Sequence, residues 1–269
     1  MKRTLMLTVA CLQLVANAQN VLTGKEIYRT DCKAVVQIHT EDGFGVGFIV
    51  SSDGAIMTAN HVVTTRESNF RKFAKTIDVT VPGHAQAYQA QPPSEAPSSD
   101  GVNYDSAIIK IVASNLPHLS LGSWDEVEVG DPLTILPSFP GMGCLLLEGI
   151  VSAKSPFKTA FGPKPVNTIL FQTPIRNGFS GSPIFSARGH VIGIQDTKVF
   201  GISPGLDELR TKWAASRSQG TVRIMGVDIA GNFLEMTNNL DQNLISGLGS
   251  GVDIGYAKDQ QKGAPPPSH

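Results

Sequence analysis

"IRNGFSGSPIFSARGHVIGI", residues 175–194, sets Ser180 among small residues and then runs through two short apolar segments joined by a turn. Gly178 and Gly181 flank Phe179 and Ser180, so the backbone is free to turn sharply and to bring its N–H groups close to another molecule with no Cβ in the way. Two readings fit these residues alone: a Gly/Ser/Pro loop that reverses a hairpin, or a nucleophile loop whose donors face an oxyanion. A serine hydroxyl is a poor nucleophile near neutral pH, so the second reading needs a histidine base and an acid to orient it.

The chain has six histidines, at positions 39, 61, 84, 118, 190 and 269. "GFGVGFIVSSDGAIMTANHVV" reads as an alternating strand, a Ser-Asp-Gly turn and a short apolar strand that delivers His61 at its end. His39 lies in a strand pattern and His84, His118 and His190 lie in turn-rich stretches, so these four read as structural or solvated, and His269 is the last residue. For the acid, "NYDSAIIKIV" puts Asp105 at the mouth of an apolar run over 107–112 that reads as a buried strand. Asp53, Asp78, Asp100, Asp125 and Asp131 sit beside turn residues, where Asx turns or solvent account for them. The order His, Asp, Ser differs from that of α/β-hydrolases and of subtilisins, and Ser182 breaks the G-x-S-x-G pattern.

Four stretches in one order carry a family resemblance: "GVGFIVSSDGAIMTANHVV", "DSAIIKI", "SFPGMGCLLLEGIVSA" and "FQTPIRNGFSGSPIFSARGHVIGI". Together they resemble the trypsin-like serine peptidases of chymotrypsin fold, most closely the core of the bacterial high-temperature-requirement (Deg-like) branch. The resemblance covers about residues 34–240. It implies an all-β fold of two six-stranded antiparallel barrels with short N- and C-terminal helices. It also implies His61 as base, Asp105 as orienting acid and Ser180 as nucleophile, with the backbone N–H groups of Gly178 and Ser180 as oxyanion hole. Departures are Asn60 before the histidine and Gly181-Ser182-Pro183 after the nucleophile. Phe179 stands where digestive members carry an acid that pairs with a newly cut N-terminus, so activation by N-terminal cleavage is not expected. By the same resemblance Pro174, Asp196, Thr197 and Lys198 line the specificity pocket. A proline floor gives Arg or Lys no partner and favours Val, Ala or Leu before the cut, whereas an Asp196 carboxylate turned into the pocket would restore a basic preference.

Composition agrees with a secreted enzyme: 269 residues, 41% hydrophobic, suit one two-barrel unit, and a net charge of -1 carries no electrostatic signature for nucleic acid. No cofactor or metal is required by this chemistry, and the expected partner is a peptide or protein substrate. Residues 1–18 read as a signal peptide, with Lys2 and Arg3, an apolar stretch over 5–15 and a small Ala16-Asn17-Ala18 site, too short for a membrane span. Export to the periplasm or the medium follows. Cys32 and Cys144 then remain in an oxidising compartment as a candidate disulfide, their proximity left open by the sequence. The peptidase region is expected over 19–245, with barrels at about 30–115 and 120–230. A leading helix falls in "GKEIYRTDCKAV", a loop over 92–103 precedes Asp105, and a helical insertion over 204–218 spaces Leu206, Leu209 and Trp213 on one side. "TVRIMGVDIAGNFLEMTNNL" reads as last strand and terminal helix, and 246–269 as a flexible Gly/Pro-rich tail too short for a PDZ module. A protease-like binding module without turnover is the alternative reading.

Overall fold

The computed structural model describes residues 21–68, 72–91, 104–158, 165–198, 204–218, 220, 223–243 and 246–263; the expected signal peptide and the 92–103 loop lie outside them. Runs of Val, Ile and Phe, stiff or bulky at Cβ, form two antiparallel sheets. The first comprises β1 (Val35–Thr40), β2 (Gly43–Ile49), β3 (Ala55–Thr58), β4 (Asp78–Thr80), β5 (Tyr88–Gln89) and β6 (Ala107–Lys110), in the order β5-β4-β1-β2-β3-β6. It curls on itself, because Gln91, just past β5, pairs with Lys110 on β6 through both main-chain bonds, at 2.7 and 3.1 Å. Ile38, Val46, Phe48, Ile56, Met57 and Ile109 are buried on its two faces, in one core cluster with residues of the second sheet.

The second sheet is a closed six-stranded barrel. Its strands are β7 (Pro132–Ile135), β10 (Leu147–Lys158), β11 (Pro165–Ile175), β12 (Pro183–Phe185), β13 (Val191–Lys198) and β16 (Ser246–Asp253). Between β7 and β10 lies a small hairpin, β8 (Ser138–Phe139) and β9 (Gly143–Cys144). Leu133, Ile135, Ile169, Phe171, Ile184 and Ile192 pack the barrel centre. The expected all-β fold of two barrels is therefore observed, the first as a curled sheet and the second fully closed.

The leading helix is present as α1 (Gly24–Asp31), started by a capping box in which the Glu26 carboxylate accepts the Thr23 N–H at 2.8 Å. Cys32, at its end, is disulfide-bonded to Cys144 across a separation of 112 residues, tying the N-terminal segment to the β8–β9 hairpin. The insertion is also helical: α2 (Pro204–Ser218) packs on α3 (Ile229–Asn243) through Trp213 and Phe233, ring centroids 5.6 Å apart.

Two expectations for the C-terminal part are corrected. The supposed last strand is only a two-stranded hairpin outside both sheets, β14 (Arg223–Ile224) and β15 (Val227–Asp228), so the insertion runs as helix, hairpin, helix over 204–243. Residues 246–263 are not a tail. Ser246–Asp253 is the strand that closes the second barrel, paired with β11 on one side and β13 on the other, and α4 (Ile254–Gly263) follows. Among the described residues no helix is long and apolar enough to cross a membrane.

Candidate active site

His61 sits in the single helical turn Asn60–Val63 that follows β3, entered from extended Ala59 and closed by the Val62 N–H on the Ala59 carbonyl at 3.1 Å. Asp105, just ahead of β6, is fully buried and holds a left-handed backbone conformation, φ 48°, which a short polar side chain tolerates far better than a branched one. That turn lets one carboxylate reach two groups of the same histidine. Asp105 Oδ1 accepts the His61 main-chain N–H at 2.9 Å, and Oδ2 lies 2.7 Å from His61 Nδ1. A carboxylate can only accept, so Nδ1 carries the proton and Nε2 is left as the basic nitrogen. The acid is dry while the imidazole is 18% exposed, so the histidine is reachable from solvent and its orienting partner is not.

The Ser180 loop is clamped onto the first sheet. The Val46 N–H donates to the Ser180 carbonyl at 2.8 Å, and the Gly181 N–H donates to the Gln195 carbonyl of β13 at 2.8 Å. Gly181 has φ +89° and a Cβ there would lie 1.9 Å from the Val46 carbonyl oxygen, so only glycine fits. Gly45 makes the complementary allowance on β2: a Cβ at that residue would approach Val62, next to the histidine, to 2.6 Å and the Ser180 carbonyl oxygen to 3.1 Å. The histidine turn and the serine loop thus meet over β2. Ser180 itself is half-buried, and its hydroxyl donates to the main-chain carbonyl of Asp196 at 2.9 Å.

Phe179 is buried, so an aromatic contact takes the place of an ion pair beside the serine. Its ring meets Phe139 of the β8–β9 hairpin edge-on at 6.2 Å, Phe139 meets Phe44 edge-on at 5.3 Å, and the Arg176 guanidinium lies 4.5 Å over the Phe139 ring. Gly178 has φ +91°, and a Cβ on it would strike the Phe44 ring at 2.3 Å. The Phe179 N–H turns back to the Arg176 carbonyl at 3.3 Å.

The residues expected to line the specificity pocket divide. Pro174 is exposed on β11 between buried Thr173 and Ile175, and Thr197 is half-buried. The backbone of Lys198 pairs with Gly249, while its side chain lies outside the described residues. Asp196 is 1% exposed, so its carboxyl does not face solvent. One carboxyl oxygen accepts the Ser250 hydroxyl at 2.7 Å, and the group feels the charges of Asp105 and His61. Burial, and next the negative charge of Asp105, push its pKa up to about 7.

Two supporting residues were invisible to sequence reasoning because they lie in the supposed tail. Ser250 holds Asp196, and Tyr256 stacks on Tyr104, the neighbour of Asp105, with ring centroids 3.9 Å apart and an interplanar angle of 9°. A second serine, histidine and acid occur together elsewhere without catalytic geometry: Ser186 and His190 both bond to the one Glu126 carboxylate, at 2.9 and 3.1 Å.

Two β-barrel-type sheets with a buried acid behind a histidine, and a glycine-flanked serine loop against it, define a peptidase-type scaffold. The chain belongs to the trypsin-like peptidase domain family, whose sequence profile matches residues 45–194. It is 33% identical over 150 residues to a protein of Hahella chejuensis named a DegP-like periplasmic serine endoprotease, and 31% identical over 161 residues to one of the same name from Pseudomonas putida. Those alignments take in 56% and 60% of this chain but only 29% and 30% of the relatives, so the chain spans less than a third of their length. Among solved structures it is similar to the HtrA-type protease AlgW with a tripeptide, with a TM-score of 0.61 and 22% identity over 89% of this chain and 62% of that one. A serine endoprotease from Yersinia pestis superposes with a TM-score of 0.56 at 18% identity, covering 90% and 66% of the two chains. At these identities the likenesses to solved structures show the fold.

Proposed function

We propose that the protein is a serine endopeptidase that hydrolyses peptide bonds through an acyl-enzyme, with Ser180 as nucleophile, His61 as base and Asp105 as orienting acid. The observation that carries this reading is the two-point hold of one buried carboxylate on the His61 main-chain N–H and on Nδ1, which presents Nε2 as a base. Proton transfer requires the Ser180 hydroxyl to leave the Asp196 carbonyl and turn toward Nε2, a single-bond rotation of the kind that side chains make in picoseconds to nanoseconds. Ser180 Oγ then attacks the substrate carbonyl, and the Gly178 and Ser180 N–H groups receive the oxyanion. With the Phe179 N–H already on Arg176, these are the two donors flanking it. The imidazolium, stabilised by Asp105, returns its proton to the leaving amine, and water repeats the cycle on the ester. No cofactor enters these steps.

The substrate is a peptide or protein. A neutral primary pocket preferring Val, Ala or Leu before the cut is consistent with the buried Asp196 carboxylate. Residues 1–18 export the protein, in keeping with the periplasmic naming of the relatives. The test is an active-site label. A fluorophosphonate should modify Ser180 of the purified wild type and leave Ser180→Ala unlabelled, with kcat down on the order of 10⁶ on a peptide library. Equal labelling of the two, or no labelling of a folded wild type, would reject the assignment and leave a non-catalytic binding module.

A further inference from the structure

Behind the proposed catalytic residues lies a carboxyl group that the mechanism above does not use. Asp196 is almost wholly buried, and its two ends do different things. The main-chain carbonyl receives the Ser180 hydroxyl at 2.9 Å, and the side chain points inward. There Ser250 Oγ of β16 and the Thr197 N–H donate to it, and the ionisable groups that act on it are Asp105 and His61. Two buried carboxyl groups therefore act on one partly exposed imidazole. A pair of like charges in such a place resists double ionisation, so one of the carboxyls keeps its proton into the range where histidine titrates. Asp105 already accepts two N–H groups of His61, and Asp196, raised by burial, is the one that holds the proton.

We infer that Asp196 is a positioning residue that gives the His61–Asp105 pair a second, titrating carboxyl and so sets the pH dependence of the base. This rests on the serine peptidase reading of the same site. With Asp196 neutral, His61 faces one negative charge; with Asp196 ionised it faces two, and its protonated form is favoured. Removing one proton from the doubly protonated site yields either a neutral imidazole beside a carboxylic acid, which can accept the serine proton, or an imidazolium beside a carboxylate, which cannot. Activity then rises in two overlapping steps with pH rather than one. The raised pKa of Asp196 puts its ionisation in that window.

The experiment compares kcat/KM against pH for wild type, Asp196→Asn and Ser250→Ala, alongside the His61 ring resonances by NMR. The Asn side chain keeps the shape and carries no proton to lose. It is expected to give a single-proton acid limb with a lower midpoint, and a plateau about tenfold lower because the imidazolium has lost one stabilising charge. Ser250→Ala removes a donor that favours the anion, so the upper step should move to higher pH. Superimposable acid limbs in wild type and Asp196→Asn would overturn the inference. Should Asp196→Asn fail to give a cooperative melt, an unmoved upper step in Ser250→Ala would do the same. A wild type that takes no fluorophosphonate label loses the peptidase reading instead. In that case the His61 resonances still decide the coupling, which is refuted if they titrate identically with and without the Asp196 carboxyl.

Discussion

Asp105, Gly181 and Asp196 each hold a conformation or an environment that few other side chains accept. Adding one methyl at Gly181 meets both a positive φ and the Val46 carbonyl, so Gly181→Ala must shift the serine loop off β2. Loss of label incorporation together with a fall in stability of about 2 kcal/mol or more is expected by chemical denaturation; an alanine variant with wild-type labelling would contradict the tight contact. For Asp105→Asn the carboxylate that fixes the Nδ1–H tautomer is gone, and kcat should drop on the order of 10⁴. Asp196 predicts a stability effect as well. Its folded pKa, about 7, is raised above its ordinary value of 3.8, so the native state holds a proton that the unfolded chain releases between those pH values. Its contribution to stability is thus fully present below about pH 4 and is lost as pH rises toward 7. Thermal melts should show wild type losing ground to Asp196→Asn over that interval, and a constant difference would argue against a protonated Asp196.

At the scale of elements, the β8–β9 hairpin joins two features far apart in sequence. One end, Cys144, is bonded to Cys32, and the other, Phe139, packs on Phe179 beside the nucleophile. Phe139→Ala should therefore lower kcat by about fivefold while leaving the His61–Asp105 contact intact, since an edge-on aromatic pair is worth about 1 kcal/mol beyond its buried area. Reduction of the disulfide reopens a loop of 112 residues in the unfolded chain, an entropy effect of about 4–5 kcal/mol. Calorimetry with and without a reductant should show a large fall in Tm; an unchanged Tm would mean that the bond does not form in solution. The sequence does not signal this hairpin, because two-residue strands leave no periodicity to read.

For the whole molecule, the decisive correction is the strand Ser246–Asp253. Deleting residues 246–269 would be harmless if they were a tail, but the structure predicts an insoluble chain without a cooperative melt. The deletion removes the strand between β11 and β13, exposes two sheet edges, and takes away Ser250 and Tyr256, which support Asp196 and the Asp105 segment. A soluble, labelled truncation would show that the barrel tolerates the gap.

The sequence by itself determined the three residues proposed for catalysis, the fold class and the helical character of 204–218, because each is written in short-range signals. These are a histidine at the end of an apolar strand, an acid at the mouth of another, glycines around a serine, and alternating or helical apolar spacing. Only the tertiary structure decided the closing strand, the Cys32–Cys144 bond and the fate of Asp196. "SGLGSGVD" carries almost no apolar alternation, since its glycines make room for their neighbours: a Cβ on Gly249 would lie 2.5 Å from the Phe171 ring, and one on Gly251 2.2 Å from Ile184. A strand of that kind is specified by hydrogen bonds to partners on both sides rather than by its own side chains. The charge state of a carboxyl likewise depends on what the fold packs around it. Asp196 feels the charge of Asp105 from 91 residues away in the sequence, a coupling that no local pattern encodes.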